Sequence, residues 1–285
     1  MQKKYFITYG TNEFNVQKRN LLHLAKKSGE FTYCIGFNRN DIDNDFYNKY
    51  KTILDGEVGG GYYLYKLNMV QKVMKNMKEN DILVYSDAGS SLNLRGINRL
   101  REYFELLNAD KNGNLRFQME LKEKYFTVKE IFNYFNLSTD SEIGNSGILV
   151  GGHFLLKKNK NSVNMFKEFE NIVNFDKNLI TNYYDEKGQI EGFKRNSWDQ
   201  SITSILSKVY GGTILKDETY FQDNEEAQFS YPFLAVRKRS YPNWNKFKFY
   251  ILYPLNRNKT TYFGGKKHWY QKPSYYKRLI YKFSK

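Results

Sequence analysis

Strand-like and helix-like segments alternate along the first half of this chain, and this order restricts the fold more than any other feature of the sequence. Residues 5–9 and 31–37 have the apolar and aromatic content of strands, and an apolar helical face lies between them. Residues 82–85 are a short apolar run of the kind that forms a buried parallel strand. Strands that alternate with helices predict an α/β fold, in which a mainly parallel sheet carries helices on both faces.

The remaining elements follow from the same periodicities. Asp41 is expected to open a helical stretch, residues 59–61 to form a flexible glycine loop, and Asp199 to start a late helix. The second half is less regular and predicts a mixed sheet. Helices are predicted over residues 64–77, 96–108, 127–135 and 162–175, and strands at 115–119, 148–150 and 154–156.

Composition narrows the class of protein and its partners. A chain of 285 residues suits one domain, because longer chains tend to split into several. The formal charge of +15 favours anionic ligands, but it does not choose between nucleic acid, a phosphate-bearing cofactor and an anionic membrane face. The single cysteine, Cys34, excludes a disulfide framework and indicates a reducing compartment. Without a secretion signal or a run of about 18 apolar residues, a soluble cytoplasmic protein is expected, with at most peripheral membrane contact.

The first candidate site residue is Asp87, which follows the buried strand predicted at residues 82–85. Ligands of open parallel sheets bind at the carboxyl edge of the strands. A carboxylate there can hold a divalent cation that bridges a diphosphate. The alternative is that Asp87 only forms a turn before Gly89.

Two further motifs carry candidate residues. The glycine run at 59–61 precedes Lys66, a cation suited to phosphate oxygens, although a plain loop is the alternative. Asp199 follows Trp198 at a predicted helix start, where its carboxylate can take the proton of an acceptor hydroxyl. Trp198 can offer an aromatic face to a sugar ring. The alternatives are a helix N-cap for Asp199 and a core position for Trp198.

Taken in order, these motifs resemble those of GT-A nucleotide-sugar glycosyltransferases, in particular a small group from large DNA viruses and bacteria. A more distant similarity is to glycogenin-like transferases. The resemblance covers roughly residues 5–210 and is carried by Thr8-Tyr9-Gly10, residues 59–66, Asp87-Ala88-Gly89 and Trp198-Asp199-Gln200-Ser201. It implies a Rossmann-like GT-A fold in one domain of residues 1–285. Residues 1–120 are then the nucleotide-binding half, and 121–285 are the acceptor-binding half, which ends in a basic tail at residues 266–285.

The activity implied is transfer of a hexose or pentose from a nucleotide sugar, with UDP as the expected nucleotide, to a hydroxyl of a glycan. Asp199 is expected to be the general base of an inverting reaction, with a retaining reaction as the alternative. Trp198 is expected to contact the acceptor. The residues expected at the nucleotide sugar are Thr8, Tyr9, Gly10, Arg19, Gly61, Lys66, Ser86, Asp87, Gly151 and Gln200.

The resemblance also implies a divalent metal, Mn²⁺ or Mg²⁺, held by Asp87. The Asp-x-Asp motif of the family reads Tyr85-Ser86-Asp87 here, so only its last carboxylate is present. His153 and His268 are candidates to complete the metal site, and a structural or surface role is the alternative for each.

Two other classes compete with this interpretation. The charge and aromatic content also suit a nucleic-acid-binding protein, but carboxylates at a strand end and a helix start do not suit a phosphate backbone. A sugar nucleotidyltransferase shares the α/β layout, but it would carry a glycine-rich basic loop after its first strand. Residues 10–13 match such a loop poorly.

Overall fold

The computed structural model describes residues 2–11, 14–220 and 230–236 of the chain. The strands are β1 (Lys4–Tyr9), β2 (Tyr33–Phe37), β3 (Ile82–Ser86), β4 (Ser91–Leu92), β5 (Asn114–Lys122), β6 (Gly147–Leu149), β7 (His153–Lys157), β8 (Thr213–Lys216) and β9 (Phe233–Leu234). The helices are α1 (Asn15–Lys27), α2 (Asn44–Lys49), α3 (Lys51–Leu54), α4 (Gly59–Tyr62), α5 (Tyr65–Asn76), α6 (Ile97–Ala109), α7 (Lys129–Tyr134), α8 (Glu142–Asn145), α9 (Lys160–Phe175) and α10 (Asp199–Tyr210).

Seven strands form one sheet in the order β2-β1-β3-β7-β5-β6, with β8 off this path. Strands β7 and β6 pair with successive parts of one edge of β5, and β8 pairs with its opposite edge. Strands β1, β2, β3, β5 and β8 run in one direction, whereas β6 and β7 run antiparallel to them. This arrangement confirms the α/β class, the mainly parallel sheet and the mixed pairing of the second half. The division expected at residue 120 falls inside β5, and β7 of the second half pairs with β3 of the first.

Side chains of β1 and β3 alternate between the two faces of the sheet, as the period of a strand requires. Phe6 and Val84 belong to a buried cluster on one face together with residues of α1 and α6. Ile7 and Leu83 belong to a cluster on the opposite face with residues of α5, α9 and α10. Burial of each such side chain contributes about 1.5–3 kcal/mol, so the helices packed on both faces hold β1 and β3 in place.

The predicted start of the second helical stretch is wrong. Asp41 does not open a helix, since its carboxylate accepts hydrogen bonds from the backbone and side-chain amides of Asn38 at 2.7 and 2.6 Å. These bonds close a short 3-10 turn, and α2 begins only at Asn44.

The prediction of a flexible loop at residues 59–61 is also wrong, because these residues belong to the short element α4. Gly59, Gly60 and Gly61 have φ angles of 55°, 66° and 99°, and Tyr62 and Tyr63 follow at 51° and 61°. Element α4 is therefore a left-handed turn, which costs an ordinary L-residue roughly 1–2 kcal/mol per position. Glycines avoid that cost, which explains why three of them occur here.

None of the described helices is both long enough and apolar enough to cross a membrane. His268 and the basic tail predicted at residues 266–285 lie outside the described residues.

Candidate active site

The parallel strands β1 and β3 end side by side, and β2 lies on the other side of β1. This is the point of an α/β sheet where strand order reverses and ligands bind. Gly10 and Asp87 both follow their strands at this edge. A Cβ atom on Gly10 would lie 3.1 Å from the Cβ of Ala88, so glycine allows the two chain segments to approach closely.

Lys66 occupies the centre of the site, on the first turn of α5. Its Nζ lies 2.9 Å from Oδ2 of Asp199 and 3.5 Å from Oδ1 of Asp87. It also donates a hydrogen bond to the carbonyl of Gly151 at 3.0 Å. The side chains of Lys66 and Asp199 are 5% and 4% exposed, whereas that of Asp87 is 38% exposed. Three residues predicted from separate motifs, Lys66, Asp87 and Asp199, therefore meet at one ammonium group, together with the carbonyl of Gly151.

Burial and charge act against each other in this cluster. Burial raises the pKa of Asp199 to about 6, although the ammonium of Lys66 acts to lower it. Burial acts to lower the pKa of Lys66, but the carboxylates of Asp199 and Asp87 outweigh it and hold this pKa above its usual range. Lys66 is therefore a cation at neutral pH, while Asp199 changes its ionisation near pH 6.

Two glycines make room for the carboxylate of Asp87 and for α10. The hydroxyl of Tyr85 donates to Oδ1 of Asp87 at 2.7 Å, and the Asp87 N–H donates to the carbonyl of Gly152 at 2.9 Å. A Cβ on Gly152 would lie 2.8 Å from Oδ2 of Asp87, and one on Gly151 would lie 2.8 Å from the Cβ of Gln200. The link between β6 and β7 thus passes tightly between Asp87 and the first turn of α10.

An aromatic pair, Tyr63 and Trp198, lies next to the carboxylates. The left-handed turn carries the ring of Tyr63 to 4.9 Å from Nζ of Lys66, and the two ring centroids are 5.8 Å apart. Trp198 has φ 59° and ψ −123°, a strained combination for an L-residue that typically costs 1–3 kcal/mol. Its indole N–H donates to Oδ1 of Asn182 at 2.6 Å. Both rings are half-buried and keep part of their surface accessible.

Several predicted residues lie at this edge with buried side chains. Thr8 and Ser86 are almost fully buried, and their hydroxyls have no hydrogen-bond partner among the described residues. Tyr9 is buried in a stack with Tyr65, at 3.7 Å between ring centroids. Gly61 is buried, and a Cβ there would lie 2.5 Å from the Cα of Leu54. These residues are therefore packed beneath the edge of the sheet and not exposed at it.

Arg116 is a component that was not predicted from the sequence. It lies fully buried on β5, where Nη2 is 3.3 Å from both the Val150 carbonyl and Oγ1 of Thr203. Burial lowers the pKa of Arg116 to about 10, and the charges of Asp199 and Glu123 act in the opposite direction. The sequence feature that could have indicated a buried arginine is its position between Leu115 and Phe117, inside an apolar strand.

A polar cavity of about 380 Å³ opens at the carboxyl ends of β1 and β2. Nζ of Lys18 donates there to the carbonyls of Gly10 and Phe37, at 2.8 and 3.0 Å. Arg19, predicted at the diphosphate, is exposed on α1 and is not among the lining residues. The lining is formed by Thr11, Asn15, Lys18, Asn38, Arg39 and Asn40.

The described residues do not fit the divalent metal implied by the resemblance. They contain no cluster of three or more acidic, histidine or cysteine side chains able to hold a metal ion. Asp87 already accepts a hydrogen bond from Tyr85 and faces the ammonium of Lys66. Mg²⁺ in proteins is usually bound by one or two carboxylates together with waters and substrate phosphates, and here the ammonium of Lys66 already lies beside both carboxylates. His153 is buried, with Nε2 3.2 Å from Oγ of Ser90 and its ring stacked on that of Phe233 at 5.1 Å between centroids, which supports a structural role.

Two solved structures are similar to this chain in fold. One is a glycosyltransferase involved in glycosylation of the major capsid of PBCV-1, with a TM-score of 0.46, 8% identity and coverage of 81% of this chain and 91% of that chain. The other is mouse xyloside xylosyltransferase 1 in its apo form, with a TM-score of 0.44, 10% identity and coverage of 86% and 98%. No protein-family model matches the sequence, and no curated protein matches it significantly. At these TM-scores and identities, the similarities assign neither a family nor an activity.

Proposed function

We propose that this chain is a glycosyltransferase that moves a sugar from a nucleotide sugar, with UDP as the expected nucleotide, to a hydroxyl of a glycan. The observation that carries the proposal is the joining of Asp87 and Asp199 through Lys66 at the carboxyl edge of the sheet. Carboxylates can accept hydrogen bonds from sugar hydroxyls, and the neighbouring aromatic pair offers faces to a sugar ring. The proposal combines this geometry with the resemblance in sequence motifs.

The polar cavity at the ends of β1 and β2 is the proposed place of the nucleotide. Its volume of about 380 Å³ is within the usual range for small-molecule sites. Lys18 and Arg39 line it and supply positive charge for phosphate oxygens. The sugar would then extend toward Asp87, which is the more exposed of the two carboxylates.

In the proposed inverting reaction, the acceptor oxygen bonds to the anomeric carbon as the bond from that carbon to the diphosphate breaks. Asp199 takes the hydroxyl proton, and the nucleoside diphosphate leaves with the electron pair of the broken bond. The hydroxyl becomes acidic only as the new bond forms, so a carboxylate with a pKa of about 6 is ionised and sufficiently basic at neutral pH. Trp198 is proposed to hold the acceptor beside this carboxylate.

The test is a titration of the protein with UDP-sugars, GDP-sugars and a single-stranded oligonucleotide at low and high salt. A glycosyltransferase should bind one donor specifically and with little salt dependence. A nucleic-acid-binding protein should instead bind the oligonucleotide and lose affinity steeply as salt rises. Selective binding of the oligonucleotide alone would refute the proposal.

A donor that binds should then be tested for hydrolysis and transfer, with the product anomer assigned by NMR. Asp43→Asn is a matched control, because Asp43 is half-exposed and pairs with Lys72 outside the site. Retention of the donor configuration would remove the base role and leave Asp199 as a residue that positions the donor sugar.

A further inference from the structure

Lys66 is surrounded in the way that a bound cation would be. Three oxygens lie around its Nζ, from Asp199, Gly151 and Asp87, at 2.9, 3.0 and 3.5 Å. The rings of Tyr63 and Tyr85 have their centroids 4.9 and 5.1 Å from the same nitrogen. An ammonium has three N–H donors and is attracted to aromatic faces, so this set of neighbours suits it.

The same surroundings are unsuited to Mn²⁺ or Mg²⁺. Aromatic faces provide none of the oxygen ligands that these ions need, and an ammonium between the two carboxylates repels a second cation. The charges of the cluster are already balanced, because Lys66 and Arg116 carry two positive charges against the two negative charges of Asp87 and Asp199. His153 adds none at neutral pH, since burial lowers its pKa to about 4.

We infer that the ammonium of Lys66 takes the place of a divalent cation in this site, so that donor binding and transfer need no metal. Lys66 is then a positioning residue that holds Asp87 and Asp199 in place. The statement about the donor rests on the proposed function, whereas the statement about the cation position can be tested without any sugar nucleotide.

The first experiment measures Mn²⁺ binding to the protein alone, by electron paramagnetic resonance and by thermal unfolding at pH 8. Wild type should show no stoichiometric Mn²⁺ binding and no change in Tm on addition of Mn²⁺ or EDTA. Lys66→Ala leaves the two carboxylates with a space between them, so Mn²⁺ should bind and raise its Tm. The rise should disappear in Lys66→Ala/Asp87→Asn. Lys72→Ala, on the same helix but at a half-exposed ion pair, is the matched control and should not gain Mn²⁺ binding.

Two results would overturn the inference. One is Mn²⁺ binding by wild type that Asp87→Asn abolishes, and the other is no response to Mn²⁺ in a folded Lys66→Ala variant. If circular dichroism shows that Lys66→Ala is unfolded, Lys66→Gln replaces it, because its amide can still donate to a carboxylate. That variant also lacks the ammonium and should gain Mn²⁺ binding.

The second experiment compares UDP affinity by calorimetry in EDTA and in excess Mn²⁺, corrected for Mn²⁺ binding to free UDP. The two dissociation constants should agree within about threefold, because the metal adds no ligand bond to the protein. A gain of more than about tenfold in Mn²⁺ that is lost in Asp87→Asn would overturn the inference. If UDP does not bind in either condition, the proposed function fails, and the Mn²⁺ titrations of the protein alone still decide the role of Lys66.

Discussion

Replacing Asp199 with Asn should stabilise the protein at neutral pH while greatly slowing the reaction. Asp199 is 3% exposed, so its ionised carboxylate has lost nearly all of its hydration. Asn has the same shape, and its side-chain oxygen can still accept the hydrogen bond from Lys66. The substitution therefore removes a buried charge and retains a hydrogen bond.

The pKa of Asp199 gives the size of the effect. Burial raises this pKa from its ordinary value of 3.8 to about 6, even though Lys66 acts to lower it. Each pKa unit corresponds to about 1.4 kcal/mol, so the ionised form costs the folded state about 3 kcal/mol relative to the neutral form. Because the folded pKa is the higher one, the stability contributed by Asp199 is greatest below pH 4 and is lost as pH rises through 6. Asp199→Asn should thus be more stable than wild type by about 1–3 kcal/mol at pH 8, and by almost nothing near pH 4.

Urea unfolding at several pH values measures the predicted gain in stability. Transfer rates at saturating donor measure the predicted loss of activity. Transfer should fall by about 10²–10⁴-fold while donor affinity persists, as expected when general-base help is lost. Asp87→Asn is the matched control, since its half-exposed carboxylate should change stability by less than about 1 kcal/mol. A loss of more than about 1 kcal/mol in Asp199→Asn at pH 8 would refute the reasoning, because the ion pair would then be net stabilising.

Three further predictions concern the same site. The acid limb of kcat/KM should have an apparent pKa of about 6, because Asp199 must be ionised, and a limb near 4 would contradict this assignment. Arg116→Met should have equal or higher stability in urea, because two nitrogens of Arg116 lack partners among the described residues. It should also raise the apparent pKa of the acid limb of kcat/KM, because Arg116 acts to lower the pKa of Asp199. An unchanged limb would show that the guanidinium does not act on the carboxylate. Gly61→Ala should destabilise by about 2 kcal/mol or more in urea, whereas Gly60→Ala, whose Cβ meets nothing closer than 4.0 Å, should cost only about 1 kcal/mol. Equal costs would exclude the clash at Gly61 as the cause.

The sequence predicted the parts of the fold that depend on apolar periodicity. Residues 82–85 form β3 because all their side chains are buried between two helical layers, and Asp199 starts α10 as expected. The same logic placed Asp87 at a strand end and Asp199 at a helix start. That the two carboxylates meet at Lys66 does not follow from periodicity, because Asp199 lies at the start of a helix and not at the end of a strand.

Periodicity does not show which long cationic side chains turn inward. Lys66 was expected at the diphosphate from its place after the glycine run, and its burial under Tyr63, with an ammonium facing Asp199, was not predicted. Arg116 alternates with apolar residues, which is also the pattern of a half-exposed strand. It is buried because β5 has partners on both edges and Thr203 of α10 lies above it. Both cases depend on contacts between segments far apart in sequence.

Backbone strain and buried charge occur at the same place in this molecule, and this coincidence supports a functional role. Five described non-glycine residues adopt positive φ angles, and two of them, Tyr63 and Trp198, form the aromatic pair of the site. Each such conformation costs about 1–3 kcal/mol and persists only where its surroundings enforce it. Asn196 helps to enforce it, since its side-chain amide donates to two carbonyls of the 179–181 segment at 2.8 and 2.9 Å. A fold selected for stability alone would gain by relaxing these turns and by removing the charge of Asp199. The sequence instead retains both, so the site is held in a costly geometry that the core of the sheet offsets.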